Sequence, residues 1–279
     1  MIVGALGSEE ALLYLGAAGG LSSSPAVILT SPVGGDRFGT SVATAGDVNG
    51  DGYDDVIVGT EGGSAAYVYL GASSGLGPAP DATLTSATGE YFGWSVGSAD
   101  DVDGDGYDDV LVGAPGSGSS DGRVYVYLGS SAGLRTTSSV TLEAAVSGGE
   151  FGSSLGAAGD VDGDAFGDVI VGTWSAGEAY LFHGAAGGLS TAAATLLEGD
   201  PTEFFGRPVS GAGDVNADGY ADVIVGHRDY DAGAGRAYVY LGSAVGIDAV
   251  ASIFLDGEDW GGFSGVGGRR RGGRGWGWG

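Results

Sequence analysis

Four stretches of the chain carry oxygen-bearing side chains at alternate positions, each followed by an apolar run. They are Asp47 to Gly59 (DVNGDGYDDVIVG), Asp101 to Gly113 (DVDGDGYDDVLVG), Asp160 to Gly172 (DVDGDAFGDVIVG) and Asp214 to Gly226 (DVNADGYADVIVG). Counted from the first residue, positions 1, 3, 5 and 9 are Asp47, Asn49, Asp51 and Asp55; Asp101, Asp103, Asp105 and Asp109; Asp160, Asp162, Asp164 and Asp168; and Asp214, Asn216, Asp218 and Asp222. Position 7, held by Tyr53, Tyr107, Phe166 or Tyr220, offers a backbone carbonyl. This is a spacing by which a nine-residue turn wraps Ca2+, a hard cation that takes about six to eight oxygens at roughly 2.3–2.6 Å. Without a cation, several carboxylates would face one another at close range, a repulsion that calls for a counter-charge. About four Ca2+ sites are therefore expected, one per stretch.

The four copies differ in detail. Glycine at position 6 permits the sharp turn a Cβ would hinder, and the third copy has Ala165 there instead, which predicts the weakest site. Asp54 and Asp108 at position 8 give way to Gly167 and Ala221, which leaves position 8 outside the ligand set. Position 12 is Val58, Val112, Val171 or Val225, where a helical EF-hand carries a bidentate Glu, so the loop–helix arrangement is disfavoured.

The copies start 54, 59 and 54 residues apart, so an internal repeat organises the chain. Each unit opens on an aromatic–glycine pair, Phe38-Gly39, Phe92-Gly93, Phe151-Gly152 or Phe205-Gly206, then a run of small residues suited to a crowded innermost strand. After the acidic loop comes a run such as Val56-Ile57-Val58, which reads as a strand buried on both faces. A third run (YVYLG) and a fourth (ATLT at Ala82 to Thr85, SIFL at Ser252 to Leu255) complete four short strands in about 55 residues. The expected fold is all-β, a β-propeller of four-stranded blades. A β-solenoid usually has shorter turns, and a lone blade would leave two apolar faces uncovered.

Residues 1–266 are expected to form one propeller, with a partial blade at 1–35, complete blades at 36–88, 89–147, 148–201 and 202–257, and the first strand of a further blade at 258–266. The partial blade (Ile2 to Thr30) supplies strands two, three and four, and Trp260 to Val266 resembles a strand one. Joined, they would make a composite fifth blade and hide two sheet edges; the rival is an open arc. Residues 267–279 (GGRRRGGRGWGWG) have no counterpart in any repeat and are expected to be disordered. An acidic loop falls due at residue 269, where arginines begin, and a GC-rich codon run for Asp-Val-Asp-Gly read one base off gives Arg-Arg-Arg. The tail is therefore expected to be an out-of-frame reading of a further acidic loop.

Composition narrows the partners. The chain has 36 acidic against 10 basic residues, all arginine, and a net charge of −26, which disfavours nucleic acid. Cysteine is absent, so there is no thiolate metal site, and no apolar run approaches the roughly 20 residues of a membrane helix. GWSVG at Gly93 and GSSLG at Gly152 match a nucleophile-elbow pattern, but both are blade starts without the strand–elbow–helix context, so Ser95 and Ser154 are not expected to be catalytic. His183, where counterpart positions are Leu, and His227 read as structural or exposed rather than as general bases. No enzymatic activity is expected.

The order Phe-Gly, acidic loop, apolar strand ending in glycine, and a literal Gly-Ala-Pro at Gly113-Ala114-Pro115 resembles the FG-GAP repeats of the integrin α-chain N-terminal propeller and its bacterial relatives. The third element varies, to Gly-Thr-Glu at Gly59, Gly-Thr-Trp at Gly172 and Gly-His-Arg at Gly226. The resemblance implies a Ca2+-stabilised propeller used in adhesion or ligand binding, usually of seven blades, with its calcium loops on the face away from the ligand. Expected partners are a protein or a glycan, at the cell surface or outside the cell. The second functional class is a carbohydrate-binding propeller, alone or as an accessory module of a secreted polysaccharide-degrading enzyme, with Tyr91, Trp94, Trp174 and Tyr230 as candidate sugar-stacking aromatics.

Overall fold

A computed structural model describes residues 1–62, 64–86, 90–116, 121–144, 148–200 and 204–257. The expected extra strand at Trp260 to Val266 and the tail at 267–279 lie outside the described residues.

Each complete unit folds as an antiparallel meander. The first runs β6 (Phe38–Gly46), β7 (Asp55–Thr60), β8 (Ala65–Tyr69) and β9 (Ala82–Thr85). The second is β10 (Ser95–Asp100), β11 (Asp109–Ala114), β12 (Arg123–Tyr127) and β13 (Val140–Leu142). The third is β14 (Ser154–Gly159), β15 (Asp168–Gly172), β16 (Glu178–Phe182) and β17 (Thr195–Glu198). The fourth is β18 (Phe205–Gly213), β19 (Asp222–His227), β20 (Arg236–Tyr240) and β21 (Ile253–Asp256), with a single helical turn, α1 (Tyr230–Gly233), between β19 and β20. Before them stands a three-stranded sheet of β1 (Ile2–Ala5), β2 (Glu10–Leu13) and β5 (Val27–Thr30), with a small hairpin of β3 (Gly16–Ala17) and β4 (Gly20–Leu21).

Burial follows the sequence pattern. Strands β7, β11 and β15 are buried at every residue, as a β-branched run covered on both faces must be, whereas β21 is exposed throughout. Four apolar clusters each lie between neighbouring sheets rather than within one. No blade therefore owns its core: stacking supplies it, which is why repeats of this kind need neighbours.

The small-residue strands stand side by side, β6 against β10, β10 against β14 and β14 against β18, while β1 packs on β6. Close approach is what demands glycine here. A Cβ on Gly59, Gly113 or Gly172 would collide with the carbonyl oxygen of Gly93, Gly152 or Gly206, and Gly4 of β1 stands in the same relation to Gly39. This match marks β1 as a second strand. The Phe of each aromatic–glycine pair is buried on a tyrosine of its own third strand: Phe38 on Tyr67 at 5.8 Å, Phe92 on Tyr125 at 5.5 Å, Phe151 on Tyr180 and Phe205 on Tyr238 at 5.4 Å each, between ring centroids. Burying a large side chain of this kind contributes about 1.5–3 kcal/mol.

The array has open sides among the described residues. Val48, Val102 and Val161 are fully buried under the next blade, but their counterpart Val215 is 51% exposed. Strands β1 and β18 share no packed interface among the described residues.

Acidic loops and an aromatic cavity

Every acidic loop joins the first strand of a blade to its second, so all four lie at one end of the sheets. Their local frame is the same each time. Asp47 accepts N–H bonds from Asp51 (3.0 Å) and Gly52 (2.8 Å), Asn49 Oδ1 accepts from Asp51 (2.9 Å), and Asp51 Oδ1 accepts from Tyr53 (3.0 Å). Buried Asp55 accepts from Val48 (2.9 Å) and from Gly71 beyond β8 (2.6 Å), which pins the loop to its own blade. Asp101, Asp103, Asp105 and Asp109 repeat these bonds, as do Asp160, Asp162, Asp164 and Asp168, and Asp214, Asn216, Asp218 and Asp222. Ala165 keeps the bond to Asp160 (2.9 Å) by adopting a φ of 73°, the left-handed conformation expected of a non-glycine there.

The peptide N–H groups fix the orientation of each carboxylate, at positions 1 and 9 through both oxygens, and bring carboxylates of one loop close together. One oxygen each of Asp101, Asp103 and Asp109 lies within 4.8 Å of the others, and Asp160, Asp162 and Asp164 form a like group. In the first and fourth loops the carboxylate at position 3 is replaced by an amide, and Asn49 and Asn216 donate to Asp51 Oδ2 (3.4 Å) and Asp218 Oδ2 (2.8 Å). Burial, aided by neighbouring acids, pushes Asp55 up to about 6 and Asp109 up to about 7. A hard cation would relieve that repulsion in the first and second loops, and the all-oxygen donor sets of the first, second and fourth loops are of the kind that suits Ca2+.

Position 7 does more than offer a carbonyl. The ring of Tyr107 lies over Gly50 of the preceding loop, close enough that a Cβ there would sit 2.7 Å from Tyr107 Cε1. Phe166 covers Gly104 and Tyr220 covers Gly163 in the same way, at 2.5 and 2.7 Å. Backbone bonds reinforce the link: Ser130, Ala185 and Ser243 donate to the carbonyls of Val48, Val102 and Val161 at 3.0 Å each. The loops thus form a connected row.

His183, structural or exposed by its sequence, is partly buried and faces the third loop. Its Nδ1 lies 2.6 Å from Asp162 Oδ2 and 3.7 Å from Asp168 Oδ1. The signal lay in register, since His183 precedes Gly184, whose N–H binds Asp168, at the position Leu70, Leu128 and Leu241 hold elsewhere. His227 is buried instead within the fourth blade, 3.2 Å from the Tyr238 hydroxyl. Ser95 Oγ donates to the Gly152 carbonyl (2.6 Å) and Ser154 Oγ accepts from Val209 N–H (3.0 Å), so both hydroxyls tie one blade to the next.

The opposite end of the sheets carries a cavity of about 440 Å3 lined by Glu61, Tyr91, Trp94, Pro115, Glu150 and Trp174. Trp94 meets Tyr91 and Trp174 edge-on, at 6.2 and 5.9 Å between centroids, and the Arg207 guanidinium lies 3.0 Å from the Trp174 ring centre. Three of the four aromatics singled out from sequence therefore converge. Tyr230 stands apart, under Arg236 at 3.9 Å.

Comparison with known proteins agrees with this architecture. A family model described as FG-GAP repeat matches residues 38–74, 92–127 and 206–240. Integrin alpha-5 of Xenopus laevis is 35% identical over 240 residues, 78% of this chain and 22% of its own length. Integrin alpha-8 of Gallus gallus is 33% identical over 73% of this chain and 21% of its own length, and integrin alpha-IIb of Mus musculus is 41% identical over 34% of this chain and 10% of its own. The chain spans about a fifth of the length of the first two of these relatives. Repeat order, blade architecture and these similarities together make the chain an FG-GAP repeat protein with integrin α-like propeller blades.

Proposed function

We propose that the chain is a calcium-binding, non-catalytic FG-GAP propeller that binds a protein ligand in adhesion, at a cell surface or outside the cell. The observation that carries this reading is the shared loop frame: peptide N–H groups orient the same carboxylates in all four blades. Side chains at positions 1, 3, 5 and 9 and the carbonyl at 7 would hold the ion, and the ion would supply charge neutralisation and cross-linking of a loop. Loops of modest affinity need abundant calcium, which favours an extracellular site. Among the described residues no helix is long and apolar enough to cross a membrane.

Ca2+ that binds only the folded chain stabilises it by about 2.7 kcal/mol per site at 100-fold excess over its dissociation constant. Calorimetry of the full chain in Ca2+ and in excess chelator tests this. A melting temperature lowered by the chelator supports the reading, and an unchanged one removes it.

A second reading is favoured by the cavity, where Tyr91, Trp94 and Trp174 meet beside Glu61 and Glu150. Aromatic faces with carboxylates suit a sugar ring, the faces for stacking and the acids for hydroxyl groups. A glycan array on the full chain and on Trp94→Ala separates the two. Binding of a defined sugar, lost in the variant, favours the glycan.

A further inference from the structure

The third loop differs from the others in its donor set. Beside its carboxylates stands an imidazole, that of His183, whose Nδ1 lies 2.6 Å from Asp162 Oδ2, an ion pair when the ring is protonated, and 3.7 Å from Asp168 Oδ1. Nδ1 and one oxygen each of Asp162 and Asp168 lie within 4.8 Å of one another. Two elements supply this group, the loop itself and the end of β16, and a third holds it in place. The Cε1–Nε2 edge of the ring faces Gly246 beyond β20, where a Cβ would come within 3.2 Å of both atoms. Asp168 is oriented by the N–H groups of Val161 and Gly184, both at 2.9 Å.

We propose that the third loop is a site for a borderline transition metal, Zn2+ foremost, with His183 Nδ1, Asp162 and Asp168 as ligands, and that it prefers this metal to Ca2+. This rests on the reading of the acidic loops as metal sites and assigns one of them a different ion. Ca2+ and Mg2+ are served by oxygen, whereas imidazole nitrogen with carboxylate suits Zn2+ and its neighbours, which bind such sets more tightly. Zn2+ takes nitrogen and oxygen at about 2.0–2.2 Å in a tetrahedral shell, so its entry needs Nδ1 and Oδ2 to part from contact to about 3.4 Å, a rotation of either side chain. Coordination through Nδ1 requires that nitrogen to give up any proton it shares with Asp162, leaving the ring proton on Nε2. Leucine in the other three blades can donate nothing, so the preference belongs to this loop.

The test is isothermal titration of the metal-stripped full chain with Zn2+ in saturating Ca2+, beside His183→Leu, which restores the residue of the other blades, and His183→Gln. The expected result is one Zn2+ equivalent whose affinity falls about tenfold or more in both variants, as loss of a ligand should cause. Co2+ in the same site should give visible absorption bands that change in His183→Leu. Circular dichroism identifies a variant that has not folded, and the other variant then decides. No Zn2+ equivalent in excess Ca2+, or one unaffected by both substitutions, overturns the inference. Ca2+ bound at the other loops without a His183-dependent Zn2+ site leaves the calcium reading standing and removes this one. A His183-dependent Zn2+ site in a chain that binds no Ca2+ does the reverse.

Discussion

Asp108 Oδ2 accepts the backbone N–H of Asp47 at 2.7 Å while the Asp108 N–H donates to the Asp47 carbonyl at 3.2 Å, so one residue grips the preceding blade twice. At the next two boundaries the backbone bond persists, from Gly167 to Asp101 and from Ala221 to Asp160 at 2.9 Å each, but the side-chain bond is lost. The space is shared differently at each. A Cβ on Gly46 would collide with the Asp108 side chain, whereas at the second boundary Asp100 fills the place of Gly46 and a Cβ on Gly167 would lie 3.0 Å from its Cβ. Side chain and glycine have exchanged loops.

That exchange predicts a rescue. Asp108→Ala removes a hydrogen bond to a charged group at a half-buried site and should cost about 1.5 kcal/mol, near the lower end of such bonds. Gly46→Asp alone should cost more, because φ is 74° there and Asp108 occupies the space. Gly46→Asp combined with Asp108→Gly reproduces the second boundary and should recover most of the loss. Denaturant unfolding of the three variants measures this, and a double variant no more stable than Gly46→Asp would refute the shared-space account.

The loops and strands were legible because their evidence is contiguous. Alternating oxygens at Asp47, Asn49 and Asp51 and the run Val56 to Val58 each declare themselves within a dozen residues. What stayed hidden depends on how blades stack. Tyr107 reads as a carbonyl donor to its own loop, yet its ring covers Gly50 one blade earlier. Trp94 and Trp174 read as candidate sugar-stacking aromatics, but neither recurs from blade to blade, and their meeting at 5.9 Å depends on how the blades stack. His183 broke a pattern of leucines, a signal visible in register but without meaning until the strand end was set beside Asp162.

Loop glycines should respond according to what lies above them. Ala165 has a φ of 73°, while its counterparts Gly52, Gly106 and Gly219 have φ of 88°, 89° and 97°. Ala165→Gly should therefore stabilise the chain by about 1 kcal/mol, the cost of a left-handed L-residue. Gly104→Ala should do the opposite and more strongly, since φ is 74° and the new Cβ would lie 2.5 Å from Phe166 Cε1. Adding Phe166→Ala should return part of that loss by clearing the ring. Thermal unfolding of these variants is the measurement, and a neutral Gly104→Ala would show that the ring yields freely.

The metal-free chain should become more stable as pH falls from about 8 to about 5. Asp55 and Asp109 have folded-state values of about 6 and about 7, raised by burial first and by nearby acids after it. An unfolded aspartate titrates near 3.9, so between about pH 4 and 7 the folded chain holds protons that the unfolded chain has released. Stability contributed by a raised carboxyl is present below its folded value and is lost as pH rises through it. The net charge of −26 adds self-repulsion of the same sign. Ca2+ and these protons compete for the same carboxylates, so the melting-temperature gain from Ca2+ should be largest at pH 8 and shrink below about pH 6.5. Calorimetry across this range, with and without chelator, checks both slopes. A chelated chain that melts lower at pH 5.5 than at pH 8 would mean that Asp55 and Asp109 are stabilised as anions by their peptide N–H bonds, and that the loops need no cation to neutralise them.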